Sequence, residues 1–269
     1  MREYTLANGK TVKQPFNKIW IVLAVLLVLF VIFMQFIPIT GIRYNFPVMW
    51  TMLHELFVPY NGRDWSDYFA YFLEMGKPLV ETLQISFGGT LIGGLLAFPI
   101  AFLSARNVIK SRFISIPVKF FMNLIRSIPA VVLAVIGLFL VGLGVLAGLI
   151  GIALFSFGIM SKMLYEAIET VDMSPFEALE SSGANKLISF RYAILAQILP
   201  IYLGYMIYIF EINIRASAIL GYIGAGGIGQ IISDNAYLNN NRVGVAIIVI
   251  FFTTLVVQIL SNMLRRKLK

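Results

Sequence analysis

An all-α, polytopic membrane protein is the fold class this sequence predicts, and three observations predict it. The 269 residues are 59% hydrophobic and only 13% charged, with a mean hydropathy of +0.87, whereas a soluble domain carries about 25% charge. The apolar residues fall in runs long enough to cross a bilayer, separated by short polar segments. Those runs do not alternate apolar and polar residues as barrel strands do, so helices are the way their backbone is satisfied in lipid. There is no cysteine, which excludes disulfides, Cys-ligated zinc, thiol catalysis and iron–sulfur clusters. The formal charge of +8 fits basic loops on the inner side of a membrane rather than a nucleic-acid partner.

Taken in order, residues 1–18 are a polar segment with Arg2, Lys10, Lys13 and Lys18 against Glu3 alone. Residues 19–39 form the first span: the uncharged Ile19–Ile37 measures about 28 Å as a helix, close to the ~30 Å of hydrocarbon. The run is too long for a cleavable signal and lacks a small-residue cleavage site, so it is expected to stay as a span. Residues 40–78 are an extracytoplasmic segment, in which Met49–Phe57 and Trp65–Met75 read as short interfacial helices with aromatics at headgroup level.

Residues 79–264 make a five-helix core. Its first member, Pro78–Leu103, carries Gly88-Gly89 and Gly93-Gly94, small residues that let a neighbour approach closely. The uncharged stretch 127–161 would be roughly 52 Å long as one helix, so it holds the end of one span and most of the next. The turn belongs at the glycine-rich 141–148. The third span therefore begins near Phe113 and contains Arg126 and Pro129, and the fourth runs from Val145 to Ile168. The fifth begins near Tyr192, and the sixth is Val243–Leu264. Residues 265–269 are a basic tail. With six spans and an inner N-terminus, the inner segments 1–18, 104–112, 162–191 and 265–269 hold 14 lysines and arginines, and the outer segments 40–78, 142–148 and 221–242 hold 4. That bias puts both termini in the cytoplasm.

The island Ser174–Gly183 lies on the same side. Ser174 is an N-cap candidate, Pro175 suits the first helical position, and Glu177 completes a capping box. Gly183 suits the left-handed residue that ends a helix. A short capped helix between spans, with Phe176 and Leu179 taken as exposed, is expected to dock on something in the cytoplasm.

Glu177-Ala178-Leu179, then Gly183, then Leu199-Pro200 resemble the EAA loop of ABC importer permeases. Leu179 replaces the family's second alanine, and Leu-Pro comes four residues late, Ala196 standing where proline is usual. Asn123-Leu-Ile-Arg126-Ser127-Ile-Pro129 is similar to the opening of the third span in the methionine/phosphonate branch. Glu211-Ile-Asn213-Ile-Arg215 followed by Gly224-Ala-Gly226-Gly227-Ile-Gly229 is most similar to phosphonate-transport permeases. The resemblance covers about residues 80–265. It implies a type I permease fold in a bacterial cytoplasmic membrane and a coupling surface at Phe176, Glu177, Ala178, Leu179 and Gly183. It also implies a dimer, a homodimer by expectation, with a cytoplasmic ABC ATPase dimer below and an extracytoplasmic substrate-binding protein above. The cargo it implies is phosphonate or a related phosphorus oxyanion; phosphate, phosphite or an amino acid such as methionine are alternatives.

No G-x-x-x-x-G-K-[ST] occurs in the chain, so ATP and Mg are expected on a partner ATPase, and no cofactor or metal is expected here. Gly224 to Gly229 spell G-x-G-x-x-G, but a dinucleotide site needs a preceding strand; the glycines read instead as a tight loop beside the translocation path. Charges within spans are functional candidates: Arg126 with Ser127, and Glu211, Asn213 and Arg215. Glu211 and Arg215 are four apart and share a helix face, so they either pair or serve an anion path. Asn213 points elsewhere. The lone His54 offers no metal set. Acids, histidines and nucleophiles are too few for a membrane enzyme, and a secondary transporter would show inverted repeats, which are not evident.

Overall fold

A computed structural model describes residues 3–5, 11–13, 19–36 and 45–268. The expectations at Arg2, Lys10, Lys18, Ile37 and Lys269 lie outside those residues. The chain divides into two units, Met1–Met49 and Trp50–Lys269.

The first unit holds a small antiparallel hairpin, β1 (Glu3–Thr5) and β2 (Thr11–Lys13), with Glu3 opposite Lys13. This hairpin is the one departure from an all-helical chain among the described residues. Helix α1 (Ile19–Phe36) follows, uncharged and exposed on every face from residue 19 to 35. A helix that is hydrophobic all round belongs in lipid.

The second unit opens within α2 (Phe46–Phe57) and continues through α3 (Trp65–Glu74) and α4 (Gly76–Ser104). The two expected interfacial helices are present, but α3 runs on into α4, and Trp65–Ser104 makes one long membrane candidate. The third span is not the single helix expected. It is α5 (Arg112–Ser127) and α6 (Ala130–Val141), bent by 93°. Pro129 explains the break: proline excludes the preceding residue from the helical region, and Ile128 is extended with ψ 126.

Helix α7 (Val145–Glu169) sits at the centre and packs against α4, α5, α6 and α10. The close approach expected of the α4 glycines is there: a Cβ on Gly93 would overlap the carbonyl of Ala153, and one on Gly89 would lie 2.5 Å from the Ile152 methyl. The island forms α8 (Ser174–Ser181), and α9 (Lys186–Ser189) leads through a π-helical stretch, Phe190–Leu195, into α10 (Ala196–Leu220). A tight turn at Gly221–Ile223 precedes α11 (Gly227–Asn235), and α12 (Asn240–Lys267) ends the chain. Among the described residues four helices are long and apolar enough to cross a bilayer, five with the bent pair, beside the shorter apolar α1.

The asparagine-rich stretch 239–241 ties α12 to the segment around α2 and α3. Asn241 donates to the carbonyls of Glu55 and Val58 at 2.7 and 2.8 Å, Asn240 to the Glu55 carboxylate at 2.7 Å, and Asn239 accepts from Arg63 at 2.8 Å. Arg242 adds an ion pair to Glu74 at 2.6 Å. These bonds fix the start of α12 on α2 and α3.

The turn between α10 and α11 folds so tightly that a Cβ on Gly229 would overlap the Ala218 carbonyl oxygen, whereas one on Gly76 meets nothing within 4 Å. Gly229→Ala is therefore expected to cost about 1–3 kcal/mol through overpacking and Gly76→Ala close to nothing. Thermal unfolding of the two purified variants in detergent checks this; equal melting would show that the contact imposes no constraint.

Candidate functional site

The island helix is built differently from the expected capping box. Ser174 Oγ does not cap; it donates to Asp172 Oδ1 at 2.7 Å, and the Ser174 N–H donates to the same oxygen at 2.9 Å. Asp172 is thus the acceptor at the helix start, and these two donors hold its carboxyl below the usual carboxylate range. Pro175 lies in the first turn as expected. At the other end Ala184 N–H bonds Leu179 O at 3.1 Å and Gly183 N–H bonds Glu180 O at 3.0 Å, with Gly183 at φ +88. That pair of bonds is a Schellman motif, which needs the left-handed residue glycine supplies.

Phe176 and Leu179 are half-buried rather than exposed, and Phe176 packs against the inner hydrophobic cluster containing Leu164, Ile168, Ile194 and Ile198. The outward face of α8 is Glu177, Ala178, Ser181 and Ser182. Its apolar residues therefore anchor the helix to its own bundle and leave a small, acidic face outside. Gln197 Nε2 reaches the Asp172 carbonyl at 3.0 Å and Asn107 Nδ2 the Ile168 carbonyl at 2.6 Å, which fixes the loop before α8 to α10 and the end of α7 to the α4–α5 connection. Lys119 pairs with Glu169 at 2.7 Å on the same end.

Arg126 and Ser127 stand at the corner between α5 and α6. Both are exposed, and they line a cavity of about 360 Å³ together with Asn123, Lys162 and Glu166. Arg126 forms no ion pair among the described residues, while Lys162 and Glu166 pair at 3.3 Å. Gly158 of α7 receives the Arg126 backbone, its Cβ position lying 3.1 Å from Arg126 N. Lys162 and Glu166 were not foreseen; they are the first charges after the uncharged stretch 127–161, and only the fold brings them to Arg126.

Glu211 and Arg215 do pair, at 3.1 Å, and a third residue joins them: Arg265, expected in a tail, lies 3.3 Å from the other Glu211 oxygen. Glu211 is 4% exposed, whereas the Arg215 side chain is 55% exposed. Asn213 is fully buried, away from both, and donates at 2.7 Å to Thr90 Oγ1 and to Ser156 Oγ. Thr90 is the middle residue of α4 and Ser156 lies beside the middle of α7. The structure therefore uses Asn213 to join α10 to the middles of α4 and α7 and does not bring it to an open surface.

The glycine loop has the tight geometry expected. Gly224, Gly226 and Gly227 have φ of +81, +80 and +73, and a membrane helix, not a strand, precedes them. The start of α11 is capped from α4: Glu81 Oε2 accepts from Gly227 N–H at 3.1 Å and Thr82 Oγ1 from Ile228 N–H at 2.9 Å. A carboxylate there also complements the helix dipole.

Comparison with known proteins agrees with this architecture. The family described as binding-protein-dependent transport system inner membrane component matches residues 97–269. The chain is 31% identical over 231 residues to the phosphite transport system permease protein PtxC of Stutzerimonas stutzeri, covering 86% of this chain and 81% of that protein. It is 34% identical over 189 residues to the phosphate-import permease protein PhnE of Mycolicibacterium smegmatis, covering 70% of this chain and 36% of that protein. Its fold matches an inward-facing structure of the MetNI methionine ABC transporter with a TM-score of 0.65 at 21% identity, over 72% of this chain and 96% of that chain.

The buried node makes a prediction of its own. Asn213→Leu removes two hydrogen bonds and strands the Ser156 hydroxyl, while Thr90 keeps its bond to the Ser86 carbonyl at 2.6 Å, at an expected cost of about 1–3 kcal/mol. Its melting temperature in detergent is expected to fall while uptake per folded molecule holds. Intact melting with lost uptake would make Asn213 a path residue instead.

Proposed function

This chain belongs to the binding-protein-dependent transport system inner membrane component family, and from that membership we propose that it is the membrane-spanning permease of an ATP-driven importer for a phosphorus oxyanion, phosphonate among them. The observation that carries the reading is α8. It is a helix with both ends fixed, anchored by Phe176 to the bundle and presenting Glu177 and Ala178 outward. Such an element hands motion from a cytoplasmic ATPase to the spans. ATP and Mg belong to that ATPase, and an extracytoplasmic binding protein delivers the cargo. Two copies of this chain form the path within the lipid of the inner membrane, and both termini face the cytoplasm, in keeping with the bias of basic residues.

The oxyanion class rests on chemistry as well as on the relatives. Arg126, with Ser127, presents an unpaired guanidinium to a polar cavity, and a guanidinium fork matches phosphorus oxygens through paired hydrogen bonds. Glu211 and Arg215 extend the candidate path upward, and Gly224, Gly226, Gly227 and Gly229 form its outer turn. Phosphite and phosphate are the cargo alternatives, because the two relatives are named for them.

Two experiments test the two halves of the reading. Glu177→Ala and Gly183→Ala are expected to reduce both ATPase copurification and cargo-stimulated hydrolysis, the second by straining a left-handed residue at about 1 kcal/mol. Full assembly and full stimulation in both variants would refute docking through α8. Arg126→Lys keeps the charge and loses the fork, so the KM for uptake is expected to rise about tenfold; unchanged kinetics would remove Arg126 from anion recognition.

A further inference from the structure

The cluster around Glu211 carries more positive charge than its single carboxylate neutralises. Two guanidiniums, Arg215 from α10 and Arg265 from α12, each reach one oxygen of Glu211 at 3.1 and 3.3 Å. Both distances exceed the ~2.7–2.9 Å of a well-formed charged hydrogen bond, and each arginine gives the carboxylate one nitrogen rather than a fork. An arginine has five N–H donors. Arg265 uses Nη2 on Glu211 and, at 2.9 Å, on Asn262, while its Nε is buried and meets no acceptor among the described residues. Arg215 is exposed beyond its contact with Glu211.

Burial makes the surplus charge expensive. Glu211 is 4% exposed, and the Nε of Arg265, in the last turn of α12, is buried. A buried cation without an acceptor costs several kcal/mol or is met by a counter-charge.

Space for such a counter-charge adjoins it. A cavity of about 660 Å³ is lined by Arg265, Tyr205, Tyr208, Gly204 and Met163. Met163 also walls the smaller cavity that holds Arg126 and Lys162. Met163 thus lines both the cavity that Arg265 enters and the second basic cavity at the α5–α6 corner, while Arg215 meets Arg265 through the shared carboxylate of Glu211.

We propose that Arg215 and Arg265 form a two-armed oxyanion site within the translocation path, and that Glu211 is its resident counter-ion, displaced by the cargo as it arrives and restored as it leaves past Met163 toward Arg126 and Lys162. The proposal rests on the permease reading and adds to it a binding site, a residue from the far end of the chain, and a means of release. Without Glu211 the two arginines hold a dianion too tightly to let it go. With Glu211 one of the two positive charges of the empty site is compensated, and the anion meets a competitor at the moment of exit.

The test uses the full complex, with its ATPase and binding protein, in proteoliposomes, with methylphosphonate and inorganic phosphate as probes. In Glu211→Gln, retention of the better-transported probe by the complex is expected to tighten at least about fivefold while uptake slows about tenfold, the size of one charged hydrogen bond. Arg265→Gln is expected to lose about tenfold in retention and uptake, and Arg265→Lys to recover part of each. A purely structural clamp would instead lower melting in all three variants and tighten retention in none. Should Glu211→Gln fail to assemble, the Arg265 pair decides alone: uptake by Arg265→Gln within about twofold of wild type overturns the proposal. Wild-type complex that transports neither probe removes the cargo reading, and this site with it; wild-type transport with unaffected variants overturns the site alone.

Discussion

The contact between α4 and α7 is the constraint from which the rest of the bundle follows. Lipid offers little hydrophobic drive for helices to associate, so close packing and shared hydrogen bonds must hold them. Here α4 turns Gly89 and Gly93 toward Ile152, Ala153 and Ser156, and the absence of side chains lets the two backbones meet. That proximity places Thr90 and Ser156 where one amide, Asn213 of α10, bonds both. A bulkier α4 would separate the two hydroxyls and leave the amide without its pair. The three-helix node then fixes the azimuth of α10, which decides where Glu211 points.

Burial of Glu211 makes sense only in that setting. A buried carboxylate is tolerated when cations desolvate with it, and Arg215 alone, being half open to its surroundings, is a weak partner. Arg265 supplies the second cation from the last helix. Its arrival depends in turn on where α12 begins, and the asparagine and Arg242 contacts to the 55–74 segment fix that start. An interaction at the start of α12 therefore sets the register of a charge in its last turn.

Much of this was readable in the sequence. Four span positions, the turn at 141–148, the small-residue packing of α4, the Glu211–Arg215 spacing and the left-handed Gly183 all follow from local rules of composition and spacing. What failed to show depends on tertiary contact. The capping role passed from Ser174 to Asp172, a choice between neighbouring oxygens that loop geometry settles. Phe176 looked exposed because its partners, Ile194 and Ile198, arrive from a later helix. The 93° break at Pro129 had a visible cause, but a proline in a span kinks by an amount that only packing determines. Arg265, Lys162 and Glu81 joined their sites over separations of many residues, which no periodicity reports.

The inner half of α10 connects the two ends of the candidate machinery, and its backbone is uneven. Below Glu211 lie Gly204, Pro200 and the π-helical Phe190–Leu195, three features that each weaken or widen the regular ladder. Above it the helix is held by Asn213. Asp172, at the foot of α8, is bonded to Gln197 within the uneven part. In the proposed coupling role a displacement of α8 would enter α10 in this uneven part and meet the Asn213 node next. The carboxylate of Glu211 sits two residues on the yielding side of that node. Under the proposed coupling role, movement applied at α8 would therefore be concentrated on the segment that carries the shared charge before it reached the glycine turn.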